Sequence, residues 1–125
     1  MSGVIHWAEE VGEVWAEVLA ELTRAFESSR TAAQAGESFV YVVHQDDLLG
    51  RRGAGNAMVA AGLLSAARTA GLEGARKGWT ANVVAHDQGA DRSSVEAWAR
   101  RLLDAGDVTG ELIRVGSGHI GKALP

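Results

Sequence analysis

The side chains best suited to chemistry lie in two short polar stretches. His44, Asp46 and Asp47 follow the uncharged run Phe39–Val43, and His86, Asp87 and Asp91 follow a second apolar run, Trp79–Ala85. An imidazole exchanges a proton near neutral pH, and a neighbouring carboxylate can orient it. His44, Asp46, His86 and Asp87 are therefore a candidate acid–base or ligand site. Their spacing carries no metal signature: there is no H-x-x-x-H and no H-x-E, so no metal is expected. Aspartate also belongs in turns for backbone reasons alone. His6 and His119 stand isolated towards the two ends and receive no role, and Arg51-Arg52 reads as exposed loop charge. The chain has no cysteine, which removes thiolate nucleophiles, thiolate metal sites and disulfides together.

The elements that must position these stretches alternate along the chain. Residues 8–28 read as an amphipathic helix, with Val11, Trp15, Val18, Leu22 and Phe26 at helical spacing as its core stripe. Glu9, Glu10, Glu13, Glu17 and Glu21 read as its solvated face. Phe39–Val43 reads as a strand covered on both sides. A helix is expected over 55–75 and a second strand over 79–85. Ser93-Ser94-Val95-Glu96 has the form of a capping box opening a third helix that ends near Gly106. Leu112–Val115 reads as a third strand. Helix and strand in strict alternation imply a parallel sheet with right-handed crossovers. The expected fold is α/β: a partial, Rossmann-like three-layer domain, 1–125, with a sheet of about three strands. The C-terminal edge of such a sheet, where both His-Asp loops fall, is where α/β proteins place ligands.

The middle helix is short of charge. Between Ala54 and Leu72 the only charged residue is Arg68. One side can pack on the sheet; the other needs a further partner, which predicts a subunit interface. Val18, Leu22, Ala61, Gly62, Ser65, Ala66 and Thr69 are the candidate interface residues. Gly50, Gly53 and Gly55 imitate a dinucleotide-binding turn between a strand and a helix. Their spacing is G-x-x-G-x-G rather than G-x-G-x-x-G, and about ten residues separate strand from helix where the fingerprint needs a tight turn.

Composition narrows the class. The 125 residues hold 12 Lys plus Arg against 16 Asp plus Glu, a net charge of −4, which speaks against nucleic acid as a partner. Apolar residues make up 46 % and charged residues 22 %, a globular composition. The stretch Gly53–Leu72 is too polar and too rich in small residues for a membrane span. No leader-like pattern precedes Trp7, and a cytoplasmic location is expected.

Three segments resemble the C-terminal half of the short-chain dehydrogenase/reductases. Gly71-Leu-Glu-Gly-Ala-Arg-Lys-Gly-Trp-Thr-Ala-Asn-Val-Val-Ala85 looks like the family's helix end and sixth strand. Val108-Thr-Gly-Glu-Leu-Ile-Arg-Val-Gly-Ser-Gly118 looks like its last strand with a glycine-rich exit. Leu22-Thr-Arg-Ala-Phe26 looks like the helix before its fifth strand. The resemblance implies an N-terminally truncated, degenerate member without the cofactor-binding half. Its catalytic tyrosine and lysine positions fall at Asn56 and Ala60, its serine near His44 and its structural asparagine near Trp15. The family's proline-glycine after the sixth strand is His86-Asp87. Ketone reduction of that type needs a phenol to give up a proton and an ammonium to lower its pKa, and neither Asn56 nor Ala60 supplies these.

The resemblance thus implies a pseudoenzyme that binds no cofactor by itself, and the Gly-, Ala- and Arg-rich composition fits a bacterial origin. It would assemble through its helices with itself or with a full-length active dehydrogenase/reductase carrying NAD(P), stabilising that partner or shaping its substrate pocket. The alternative is a small homo-oligomeric enzyme or ligand-binding protein using the loops around His44 and His86.

Overall fold

The computed structural model describes residues 3–117; His119 lies outside them. In chain order the elements are β1 (Val4–Trp7), α1 (Trp15–Gln34), β2 (Phe39–His44), α2 (Gln45–Leu48), α3 (Ala54–Lys77), β3 (Ala81–His86), α4 (Arg92–Asp104) and β4 (Leu112–Val115). The four strands form one parallel sheet in the order β1-β2-β3-β4. The α/β, Rossmann-like reading holds, with four strands instead of about three. The strand missed by pattern, Val4-Ile-His-Trp7, is short and carries a histidine at its centre, so its composition does not announce it.

The central strands are β-branched on both faces because both faces are covered. Phe39, Tyr41, Val43, Val83 and Ala85 pack beneath α1 and α3 with Val18, Ala25, Val59, Leu63 and Leu64. Val40, Val42 and Val84 face the other way, against Val95, Ala99, Leu102 and Leu103 of α4. Side chains alternate across a strand, so one sheet serves two cores, giving three layers. Asn82 is fully buried in β3. Its Nδ2 donates to the Val108 carbonyl at 2.8 Å and its Oδ1 accepts from the Glu111 amide at 3.0 Å, which ties β3 to the approach of β4. Gly78 closes α3 in the left-handed conformation at φ +86, a position that favours glycine.

Helix α1 departs from the sequence reading in length and in orientation. Residues 8–14 are not helical. The Ala8 amide continues the ladder to the Val42 carbonyl, and the Val11 amide is taken by Asn56 Oδ1 at 2.8 Å. The helix begins at Trp15 and runs on to Gln34. Its buried residues are Val18, Glu21, Ala25, Ser29 and Ala32. Of the stripe expected to form the core, only Val18 is buried; Trp15 is 58 % and Phe26 62 % exposed. Glu21, expected in solvent, is 4 % exposed. Two buried polar contacts explain the rotation. Glu21 accepts from His6 Nε2 at 2.9 Å, and Ser29 accepts from the Tyr41 hydroxyl at 2.9 Å.

Smaller corrections follow the same logic. β3 starts at Ala81 rather than Trp79, and both His44 and His86 are the last residues of their strands. The Ser93–Glu96 capping box does not form. Asp91 is the N-cap, Ser93 Oγ donates to its carboxylate at 2.6 Å, and Glu96 pairs with Arg100. Among the described residues no helix is long and apolar enough to cross a membrane.

Candidate functional site

Parallel pairing brings the strand ends together. His44 lies opposite His86 in the register of β2 and β3, and their ring centroids are 5.2 Å apart. Trp7, at the end of β1, stands 6.3 Å from His86, with the Arg92 guanidinium 3.9 Å above its ring. These groups line a cleft of about 430 Å³ with Ala8, Glu9, Asp47, Arg52, Ala90 and Val95, a size typical of small-molecule sites.

The loop chemistry fixes both imidazoles. His44 Nδ1 accepts from the Asp46 amide at 3.1 Å, so its neutral ring carries its proton on Nε2. His86 Nδ1 lies 3.2 Å from the Asp87 carbonyl. A carbonyl only accepts, so Nδ1 of His86 carries a proton, and in the neutral form of the ring Nε2 keeps a lone pair. The His44 pKa is lowered, first by burial, then by the nearby Arg52 charge and by His86. The ring is therefore neutral at physiological pH.

The carboxylates divide differently from the sequence expectation. Asp47, not Asp46, lines the cleft. It accepts two bonds from Arg52, at 2.8 and 3.0 Å, in a bidentate pair. Asp46 turns to Arg51 at 3.4 Å, and the Asp87 side chain packs against Gly116. Arg51 and Arg52 are thus internal partners of α2. Among the described residues no group of histidines and carboxylates is arranged to hold a metal ion.

The positions that the resemblance marks for catalysis do other work. Asn56 is buried near the start of α3. Its Nδ2 donates to the Arg52 carbonyl at 2.9 Å while Oδ1 holds the Val11 amide. Ala60 is buried in the α3 core, and Trp15 is exposed on α1. A side chain on Gly55 would collide with the Gly12 carbonyl, and one on Gly53 with Glu13. These glycines let the 8–14 segment lie against the start of α3. They do not open a cradle for a pyrophosphate, and the residues present do not fit a dinucleotide at this loop.

Sequence reading missed one polar centre. His6 and Glu21, both buried, join Arg24, whose Nε reaches Glu21 Oε1 at 2.9 Å. Arg24 also donates to the Trp7 carbonyl at 2.9 Å, and the Glu9 amide donates to Glu21 Oε2 at 3.1 Å. Burial lowers the His6 pKa despite the Glu21 bond. Burial opposes the charged form of Glu21, but the bonds from Arg24, the Glu9 amide and His6 outweigh it and hold its pKa down. A neutral His6 donating to an ionised Glu21 satisfies both. The centre braces β1 against α1 and so sets the Trp7 wall of the cleft.

The candidate interface residues fall unevenly. Val18 is buried against the sheet and is removed from the set. Leu22 and Gly62 are half-buried, and a Cβ on Gly62 would sit 3.4 Å from Leu22 Cδ2, so this pair is part of the α1–α3 contact. Ala61, Ser65, Ala66 and Thr69 lie exposed on α3.

No protein-family model and no curated protein sequence matches the chain. Solved structures do match its fold. A short-chain dehydrogenase from Mycobacterium smegmatis superposes with a TM-score of 0.75 at 19 % identity, covering 95 % of this chain and 60 % of that one. An oxidoreductase of the short-chain dehydrogenase/reductase family from Burkholderia thailandensis gives 0.71 at 15 % identity, covering 90 % and 62 %. An acetoin dehydrogenase from Salmonella typhimurium gives 0.73 at 13 % identity, covering 90 % and 61 %. The chain thus has the fold of short-chain dehydrogenase/reductase structures, and it spans less than two thirds of the length of these neighbours.

Proposed function

We propose that this chain is a non-catalytic, short-chain-dehydrogenase-like subunit that assembles through α1 and α3. Its partner is a full-length, active dehydrogenase/reductase, which it stabilises or whose substrate pocket it shapes. The observation that carries the proposal is the outward apolar face of α1. Trp15, Leu19 and Phe26 are exposed there, and Met58 is exposed on α3. Exposed large apolar residues gathered on neighbouring helices mark an association surface more often than a solvated one.

The lack of catalytic groups supports the same reading. Asn56 is committed to the Val11 amide and the Arg52 carbonyl, and Ala60 carries no ionisable group. No phenol or ammonium stands there to transfer a proton or hold a ribose. NAD(P) would therefore reside on the partner, and a cytoplasmic setting suits that partner.

Native mass spectrometry tests this on the chain purified alone and after co-expression with dehydrogenases encoded beside it. The expected result is a complex in which nucleotide mass follows the partner only. A homo-oligomer that ignores every such dehydrogenase overturns the heteromeric reading. Nucleotide bound stoichiometrically by the isolated chain overturns the non-catalytic one.

A further inference from the structure

The cleft at the ends of β1, β2 and β3 presents a matched pair of polar atoms that the assembly reading does not use. Both Nδ1 atoms are turned to the backbone of the loops that follow. This leaves the two Nε2 atoms as the polar edges of rings that line the cleft. One, on His44, is an N–H donor; the other, on His86, is a lone-pair acceptor in the neutral tautomer that the Asp87 carbonyl selects. Neither makes a hydrogen bond to another described residue. A hydroxyl group is the functional group that answers both with a single oxygen, accepting from His44 and donating to His86.

The charges around the pair select further. Arg52 is neutralised by its bidentate bond to Asp47, and Arg92 and Glu9 add one charge of each sign to the lining. The carboxylates and guanidinium groups of the lining are thus equal in number, so they offer no net attraction to an anion. A metal ion is disfavoured by the same tautomers, because His44 has no free lone pair: Nδ1 is engaged and Nε2 is protonated. The half-buried Trp7 supplies an apolar wall beside the histidines. We propose that this cleft binds a small neutral polyhydroxylated molecule, a polyol or monosaccharide, with one hydroxyl bridging His44 Nε2 and His86 Nε2. The proposal is independent of assembly through α1 and α3, which lie on one face of the sheet rather than at this edge.

The test follows the imidazole nitrogens directly. Long-range ¹⁵N–¹H correlation spectra of the full chain are recorded at neutral pH while myo-inositol, D-glucose and glycerol are each added. The unliganded spectra should show the Nε2–H form for His44 and the Nδ1–H form for His86. At least one probe should shift both histidines saturably in the millimolar range, as expected for a few neutral hydrogen bonds. His44→Phe and His86→Phe keep an aromatic ring at each place and remove one polar atom. Each should abolish the response while the backbone amide spectrum remains that of the folded wild type. If either variant fails to fold, the wild-type titration still decides the matter. Opposite tautomers, no saturable shift with any of the three probes, or a saturable response to inorganic phosphate in their place would each overturn the proposal.

Discussion

Helices α1 and α4 cover opposite faces of the same sheet, yet they are built on inverted plans. α4 buries Val95, Ala99, Leu102 and Leu103 and turns Arg92, Arg100, Arg101 and Asp104 outward; its one exposed aromatic, Trp98, lies beneath the Arg101 guanidinium. That is the ordinary pattern of a surface helix. α1 buries two polar residues, Glu21 and Ser29, along with Val18, Ala25 and Ala32, and exposes Trp15, Leu19 and Phe26. The larger apolar side chains of α1 therefore face outward. What fixes this orientation is the pair of inward polar contacts, Glu21 with His6 and Ser29 with Tyr41. The comparison separates a helix whose amphipathicity serves its own core from one whose largest apolar side chains face outward, as the proposed assembly requires.

The largest effect should come from removing the polar brace. Glu21→Ala leaves a buried imidazole without its acceptor and strips Arg24 of its nearest carboxylate. Both the His6 ring and the Glu9 amide lose their acceptor, and a buried polar group left unsatisfied costs about 1–3 kcal/mol. Urea unfolding should show this as a large fall in midpoint, and an unchanged midpoint would mean that the inward polar face does not hold α1 in place. On the other side of the sheet, Leu102→Ala should cost about 3 kcal/mol through ordinary cavity formation. Its effect should not depend on pH.

Acidification should then distinguish the two faces. The folded-state pKa of His6 lies below its ordinary value of 6.5, so between those two pKa values the unfolded chain binds more protons than the folded one. Stability is therefore fully present above 6.5 and falls as pH drops below it. Glu21 is also shifted down, from an ordinary 4.5, so its contribution is lost as pH falls further, through that value and on to its folded pKa. His44 is displaced in the same direction as His6. The urea midpoint of the wild type should decline from pH 7.5 to 5, and His6→Gln should flatten part of that decline. A profile that is flat for the wild type would mean that neither the buried His6 nor the half-buried His44 is held neutral by its surroundings.

How far the sequence revealed this architecture depends on where each residue's partner lies. The central strands were legible because Phe39–Val43 and the run ending at Ala85 are β-branched, uncharged and local. The polar stretches could be assigned to one sheet edge because parallel strands point the same way. The register that sets His44 against His86 could not be read, since it depends on pairing between residues far apart in sequence. Nor could the orientation of α1. A periodic apolar stripe is assumed to face the core, and the contradiction comes from Glu21 and Ser29, whose partners His6 and Tyr41 lie 15 and 12 residues away. β1 was hidden by its own shortness and by that same histidine. The resemblance located Asn56 and Ala60, but only the structure shows Asn56 spent on the Val11 amide.

The smallest effect on stability is the most informative about the inverted helix. Leu19→Ser with Phe26→Ser removes apolar surface that already faces solvent in the isolated chain, so folding stability, measured on dilute protein, should change by no more than about 0.5 kcal/mol. If that surface is where a partner sits, the same double variant should weaken assembly by more than tenfold, since large apolar anchors at the centre of an interface carry most of its energy. Trp98→Ser on α4 is the matched control: it too removes an exposed aromatic, and it should alter neither stability nor assembly. Sedimentation velocity across a concentration series reads self-association, and co-purification with a co-expressed dehydrogenase reads the heteromeric case. An α1 variant that assembles as the wild type does would reduce the exposed stripe to a tolerated surface and remove the chief support for a partner-binding role. Assembly lost equally by the α4 control would show that association follows exposed aromatics in general rather than the outward face of α1.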